Sequence, residues 1–130
     1  MKGFAVAAVS FALLGIAGCG GSDSSGSPDE DQIRQVASDF SAAIADGDYA
    51  AACDLFAPES VQFFEVQKQI PGGCPGVLKV TYGNMSDADV EALAEVESLE
   101  VKGDKATADL GGGESAGYQK INGNWVMSLE

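Results

Sequence analysis

The chain contains no histidine, and only 7 of its 130 residues are lysine or arginine, against 20 aspartates and glutamates. The first absence removes the commonest general base near neutral pH and the commonest transition-metal ligand. Histidine-dependent catalysis is excluded. The second leaves a formal charge of −13, a field that repels phosphate backbones and anionic headgroups, so no nucleic-acid partner is expected. A long apolar run is also missing. Phe4–Ala17 falls short of the ~20 residues a spanning helix needs, and no stop-transfer lysines follow it. Cysteine is scarce, with residues at 19, 53 and 74 only, and their spacing fits no zinc pattern. Neither a metal nor a cofactor is expected.

What is present begins with an address. Met1 and Lys2 give a short positive start, Phe4–Ala17 has the length of a signal-peptide apolar region, and a polar tract follows. The stretch Ile16-Ala17-Gly18-Cys19 resembles the lipobox of bacterial lipoprotein precursors, with Ile16 where leucine is most often found. Small side chains at Ala17 and Gly18 admit an extended backbone to a peptidase groove, and a thiol is nucleophilic enough to take a diacylglyceryl group through a thioether. The resemblance implies cleavage before Cys19 and lipid attachment at Cys19. Two acyl chains, at about 0.8 kcal/mol per buried methylene, anchor stably where one is marginal. The competing readings are an ordinary secretory signal with a chance cysteine, and an uncleaved anchor helix. Residues 1–18 are thus read as a lipoprotein signal peptide, 19–28 as lipid anchor and flexible tether, and 29–130 as the folded domain. The tether assignment rests on the Gly, Ser and Asp of Gly20–Ser27, which cannot bury apolar area. The expected location is the outer face of the cell membrane.

With Cys19 set aside, Cys53 and Cys74 form an even pair in a compartment where thiols oxidise, and a disulfide is expected between them. Two unpaired buried thiols, or half of a metal site, are the alternatives.

Ser27-Pro28-Asp29-Glu30 combines a capping hydroxyl, proline at the first helical position and a glutamate placed for a capping box. Ile33, Val36, Ala37, Phe40 and Ile44 then recur at helical spacing until Gly47. Asp48 caps a second helix expected to reach Phe56, and Pro58 opens a third with Val61, Phe64 and Lys68 on one side. A turn at Ile70-Pro71-Gly72-Gly73 leads into Cys74. Val77–Tyr82 is locally ambiguous, because Val, Thr and Tyr favour strand. Ser86 caps a short helix over 87–94. The period then changes to alternation: Leu99 and Val101, a Gly103-Asp104 turn, and Ala106, Ala108 and Leu110 make one hairpin. Tyr118–Ile121, Asn122-Gly123, and Trp125, Met127 and Leu129 on one face make a second, with Gly111–Gly113 as a flexible link. Helices followed by a four-stranded antiparallel sheet define an α+β domain.

IRQVASDFSAAIADGDYAAACDLF, the later Cys74, EVKGDKATADL and INGNWVMSLE together resemble the nuclear-transport-factor-2-like superfamily, and in particular its small exported actinobacterial lipoproteins. The resemblance implies a helix at Val77–Tyr82 and a cone-like domain whose N-terminal helices pack on a strongly curved four-stranded sheet around an apolar cavity. It implies no activity, since the superfamily holds isomerases, cyclases, hydrolases and binding modules alike.

Other motifs fail on inspection. Gly111–Ala116 fits a relaxed dinucleotide pattern but precedes a strand, not a helix. Asp87, Asp89 and Glu91 begin like a calcium loop, yet Ala92 stands where glycine is required and Ser98 where the bidentate glutamate is required. An isomerase would need a cavity carboxylate and phenol donors; Tyr49, Tyr82 and Tyr118 are available but sit in no catalytic pattern, and no catalytic residue is assigned. Phe40, Phe56, Phe63, Phe64 and Trp125 are expected in the core. The functional expectation is a lipid-anchored binding or interaction module for a small apolar ligand or a protein partner, with an isomerase- or cyclase-like enzyme as the alternative.

Overall fold

The computed structural model describes residues 27–129. The signal-peptide assignment, Cys19 and the tether up to residue 26 lie outside the described residues. Helices α1 (Pro28–Ala45), α2 (Tyr49–Cys53), α3 (Pro58–Glu65), α4 (Gly73–Tyr82) and α5 (Asp87–Ala92) precede strands β1 (Val96–Lys102), β2 (Lys105–Leu110), β3 (Ser115–Ile121) and β4 (Asn124–Ser128). The strands pair antiparallel in the order β1-β2-β3-β4, so the domain is α+β, helices first and sheet second.

Helix α1 starts where its residues dictate. The Ser27 hydroxyl accepts the Glu30 N–H at 3.4 Å, and Asp29, Glu30 and Asp31 place negative charge at the positive helix end. Pro28 is already helical, one residue inside the segment read as tether, because its fixed φ suits the first helical position. Ile33, Ala37, Phe40 and Ile44 form the buried stripe. Ser41 lies on the same side and donates its hydroxyl to the Val90 carbonyl at 2.7 Å, tying α1 to α5.

Three boundaries differ from the sequence expectation, each for a tertiary reason. Helix α2 ends at Cys53, not Phe56, because the chain must straighten to run beside β4. The Met127 N–H donates to Leu55 O and the Ala57 N–H to Met127 O, both at 2.7 Å, and Phe56 bridges Met127. This pairing covers an edge that would otherwise present open hydrogen-bonding groups. Helix α5 stops at Ala92, two residues short, as Leu93, Ala94 and Glu95 turn their N–H groups to the carbonyls three residues back. Strand β3 begins at Ser115, and the three glycines before it form a tight turn in which Gly112 (φ 80°) and Gly113 (φ 83°) are left-handed, with the Gly111 N–H donating to Glu95 O at 2.9 Å. The expected flexible link is a hydrogen-bonded turn.

Three side chains also sit differently. Phe63 is 55% exposed while Phe64 is buried, since adjacent helical positions lie about 100° apart and α3 buries one face only. Lys68 is exposed beyond the end of α3. Leu129 lies past β4 and is 48% exposed, its N–H donating to Ser60 Oγ at 3.2 Å. Once the ladder ends, alternation no longer points a side chain inward.

Val77–Tyr82 is helical. Cys74, Val77 and Leu78 are buried at helical spacing, and Glu65 Oε1 accepts the Cys74 N–H at 3.4 Å near the helix start. Packing overrides the strand bias of Val and Thr. Cys53 and Cys74 are joined as a disulfide with Cα atoms 6.1 Å apart, linking α2 to α4 across 21 residues. In the sheet, Ala106, Tyr118 and Met127 are register partners on the buried face. Asn122 (φ 52°) and Gly123 (φ 82°) take the left-handed conformations that the β3–β4 turn requires.

Candidate functional site

The buried face of the sheet and the helices above it do not close completely. One cavity of about 340 Å³ lies among α1, the C-terminal end of α4 and the start of β3, with Phe40, Tyr82, Met85, Glu114, Tyr118 and Met127 in its walls. A second void of about 340 Å³ shares Thr81, Tyr82, Ala116 and Met127 with the first and continues past Phe56 and Phe64. Ser128 and Leu129 connect that void to a more open trough of about 530 Å³ beside Phe63, Glu59 and Lys105. The three spaces share wall residues in sequence and are together called the groove.

A relay of aromatic rings runs along it. Tyr82 packs edge-on to Phe40 (5.4 Å between centroids), Phe40 to Phe56 (5.7 Å), Phe56 to Phe64 (5.4 Å) and Phe64 to Phe63 (6.2 Å). Edge-to-face contacts of this kind fix ring orientations and hold the walls in place. Met85 and Met127 add unbranched thioethers, which adapt to irregular shapes.

Two phenols join Thr81, Glu114 and Ser115 among the polar residues of the inner cavity. Tyr118 is 2% exposed, and its hydroxyl is buried without a hydrogen-bond partner. Burial pushes its pKa up to about 12, so it is a neutral donor throughout the physiological range. Tyr82, half-buried, is raised as well, first by burial and then by the negative charge of Glu114. Glu114 itself is exposed. No lysine or arginine lines the inner cavity or the void that continues it.

A second polar cluster sits where the chain enters the domain. One Asp29 oxygen accepts from Lys120 Nζ at 2.8 Å and from Trp125 Nε1 at 3.0 Å, while Lys120 Nζ lies 5.9 Å from the Trp125 ring centroid. The Lys120 hydrogen bond, then that of Trp125, holds the Asp29 carboxyl below its ordinary value. The cluster clasps the first turn of α1 to β3 and β4. Its role is structural, since all three polar groups satisfy one another.

Of the residues singled out in the sequence, Cys53 and Cys74 meet in the disulfide between α2 and α4. Cys19 lies outside the described residues. Among the three tyrosines considered for catalysis, Tyr82 and Tyr118 share the inner cavity, and Tyr49 does not line it. Sequence reading left Tyr118 without a role; its signal was its position on the apolar face of a hairpin, in register with Ala106 and Met127. Among the described residues, no cluster of three or more metal-ligating side chains occurs, and no helix is long and apolar enough to cross a membrane.

No protein-family model and no curated protein matches the chain. Among solved structures it is similar to an NTF-2 like protein of unknown function from Shewanella oneidensis MR-1, at 16% identity and a TM-score of 0.41, with 75% of this chain and 93% of that chain covered.

Proposed function

We propose that this chain is a small lipoprotein of the nuclear-transport-factor-2-like superfamily, exported, cleaved before Cys19 and held at the outer face of the cell membrane by a diacylglyceryl group on Cys19, where its domain binds a small apolar molecule. The single observation behind the binding reading is the inner cavity, lined by Phe40, Tyr82 and Tyr118, the last with a buried hydroxyl that has no partner. Concave, mostly apolar sites with a few polar groups are where proteins take small molecules. The support for the anchor is Ile16-Ala17-Gly18-Cys19 with its flanking apolar and polar segments.

An isomerase or cyclase using the same cavity would need a base beside the substrate. The only carboxylate in the cavity wall is Glu114, which is exposed, so the arrangement favours binding over proton abstraction. Export and anchoring are tested together in a host that processes lipoproteins. Cys19→Ala is expected to abolish labelling by radioactive palmitate and to leave unprocessed precursor. Unchanged labelling would end the anchor reading. Binding is tested by native mass spectrometry of the chain recovered from that host, where a retained small molecule supports it.

A further inference from the structure

The inner cavity also constrains what it can hold. Tyr118 is buried to 2% exposure, yet its hydroxyl donates to nothing. A buried donor left unmade carries its desolvation cost with no return, and such groups in native structures call for an explanation. Ala106 and Met127, its partners across the sheet, offer no side-chain oxygen. Tyr118 lines the cavity together with Met85 and Met127, whose unbranched side chains adapt to irregular shapes.

The charges in the same walls narrow the choice further. Glu114 is the only ionised side chain there, and nothing basic opposes it. An anionic ligand would give up water for a mostly apolar cavity whose walls hold no counterion and include the exposed carboxylate of Glu114, which is costly. An uncharged acceptor suffers neither penalty.

We propose that the cavity selects an apolar molecule bearing an uncharged carbonyl-type oxygen, which accepts the Tyr118 hydroxyl, and that it discriminates against the corresponding carboxylate. This rests on the binding reading above but goes beyond it, because binding of apolar molecules in general requires no hydroxyl.

Three ligands of nearly one shape separate the two: 2-acetylnaphthalene carries the acceptor, 2-ethylnaphthalene lacks it, and 2-naphthoate carries the negative charge. Calorimetric titration uses the full-length chain in lipid nanodiscs, with empty nanodiscs subtracted. The ketone is expected to bind about fivefold more tightly than the ethyl compound, the worth of one net hydrogen bond, and the naphthoate more weakly than the ketone. Tyr118→Phe keeps the ring and is expected to equalise the affinities of the ketone and the ethyl compound. Equal binding of ketone and ethyl compound to the wild-type chain, an unaltered preference in Tyr118→Phe, or naphthoate binding as tight as the ketone would each overturn the proposal and leave the binding reading in place. Binding of none of the three would overturn both. A circular-dichroism melt checks that Tyr118→Phe is folded; should it not fold, the ratio of ketone to ethyl-compound affinity in the wild-type chain still decides the matter without any substitution.

Discussion

Asp29 shows how one side chain can secure an element. It belongs to the acidic first turn of α1, where its charge is expected from the sequence, yet its contacts with Lys120 and Trp125 join residues 91 and 96 positions apart. Nothing local announces that. Because the folded-state pKa lies below the ordinary 3.8, the stabilisation from this carboxylate is complete above that value and is lost as pH falls through the depressed one. Asp29→Asn is therefore expected to be less stable than the wild-type chain at about pH 7, with the gap shrinking at a pH well below 3.8 as the native carboxyl takes up its proton. Urea midpoints at the two pH values check this. A constant gap would assign the effect to packing. Tyr118 makes the same point about legibility: alternation puts its ring on the buried face, but only the surrounding side chains leave its hydroxyl unpaired.

At the scale of elements, helix starts were the most legible feature, because caps act within four residues. Ser27, Asp48 and Ser86 each accept the expected backbone N–H. Helix ends were less so; α2 ends where the Leu55–Ala57 segment is recruited to β4, through contacts with Met127 near the far end of the chain. In α3 the distinction between Phe63 and Phe64 is likewise one of orientation. Phe64→Ala is expected to cost about 3–5 kcal/mol and Phe63→Ala no more than about 0.5 kcal/mol, as read from urea denaturation. Comparable losses would mean that Phe63 is covered in solution. The Cys53–Cys74 bridge closes the loop that contains α3, and it ties α2 to α4, whose Tyr82 lines the groove. Replacing both cysteines by alanine is expected to lower stability by about 3 kcal/mol, measured by denaturation against the oxidised wild-type chain. A loss near zero would show that packing between α2 and α4 is sufficient alone.

For the whole molecule, the groove is a product of assembly: side chains from α1, α3, α4 and the strands converge on it, and no single segment contains the site. A ligand that occupies it binds only the folded chain, so stability must rise with ligand concentration. At a hundredfold excess over Kd the expected gain is about 2.7 kcal/mol, visible as an upward shift in Tm for 2-acetylnaphthalene. No shift at saturating ligand would remove the groove from consideration as a binding site.

The amino-acid order by itself determined the α+β succession, the helix starts, the two hairpins and the exclusion of histidine chemistry, and it carries the reading of Cys19 as an anchor. Those features depend on caps, turn residues and hydrophobic period, all of which act over a few neighbouring positions. Only the tertiary structure decided where α2 stops, that Val77–Tyr82 is helical, that Phe63 faces outward, and that Tyr82, Tyr118 and Glu114 surround one cavity. These depend on which distant surfaces meet, and burial, the quantity that leaves the Tyr118 hydroxyl unpaired, does not exist until they do.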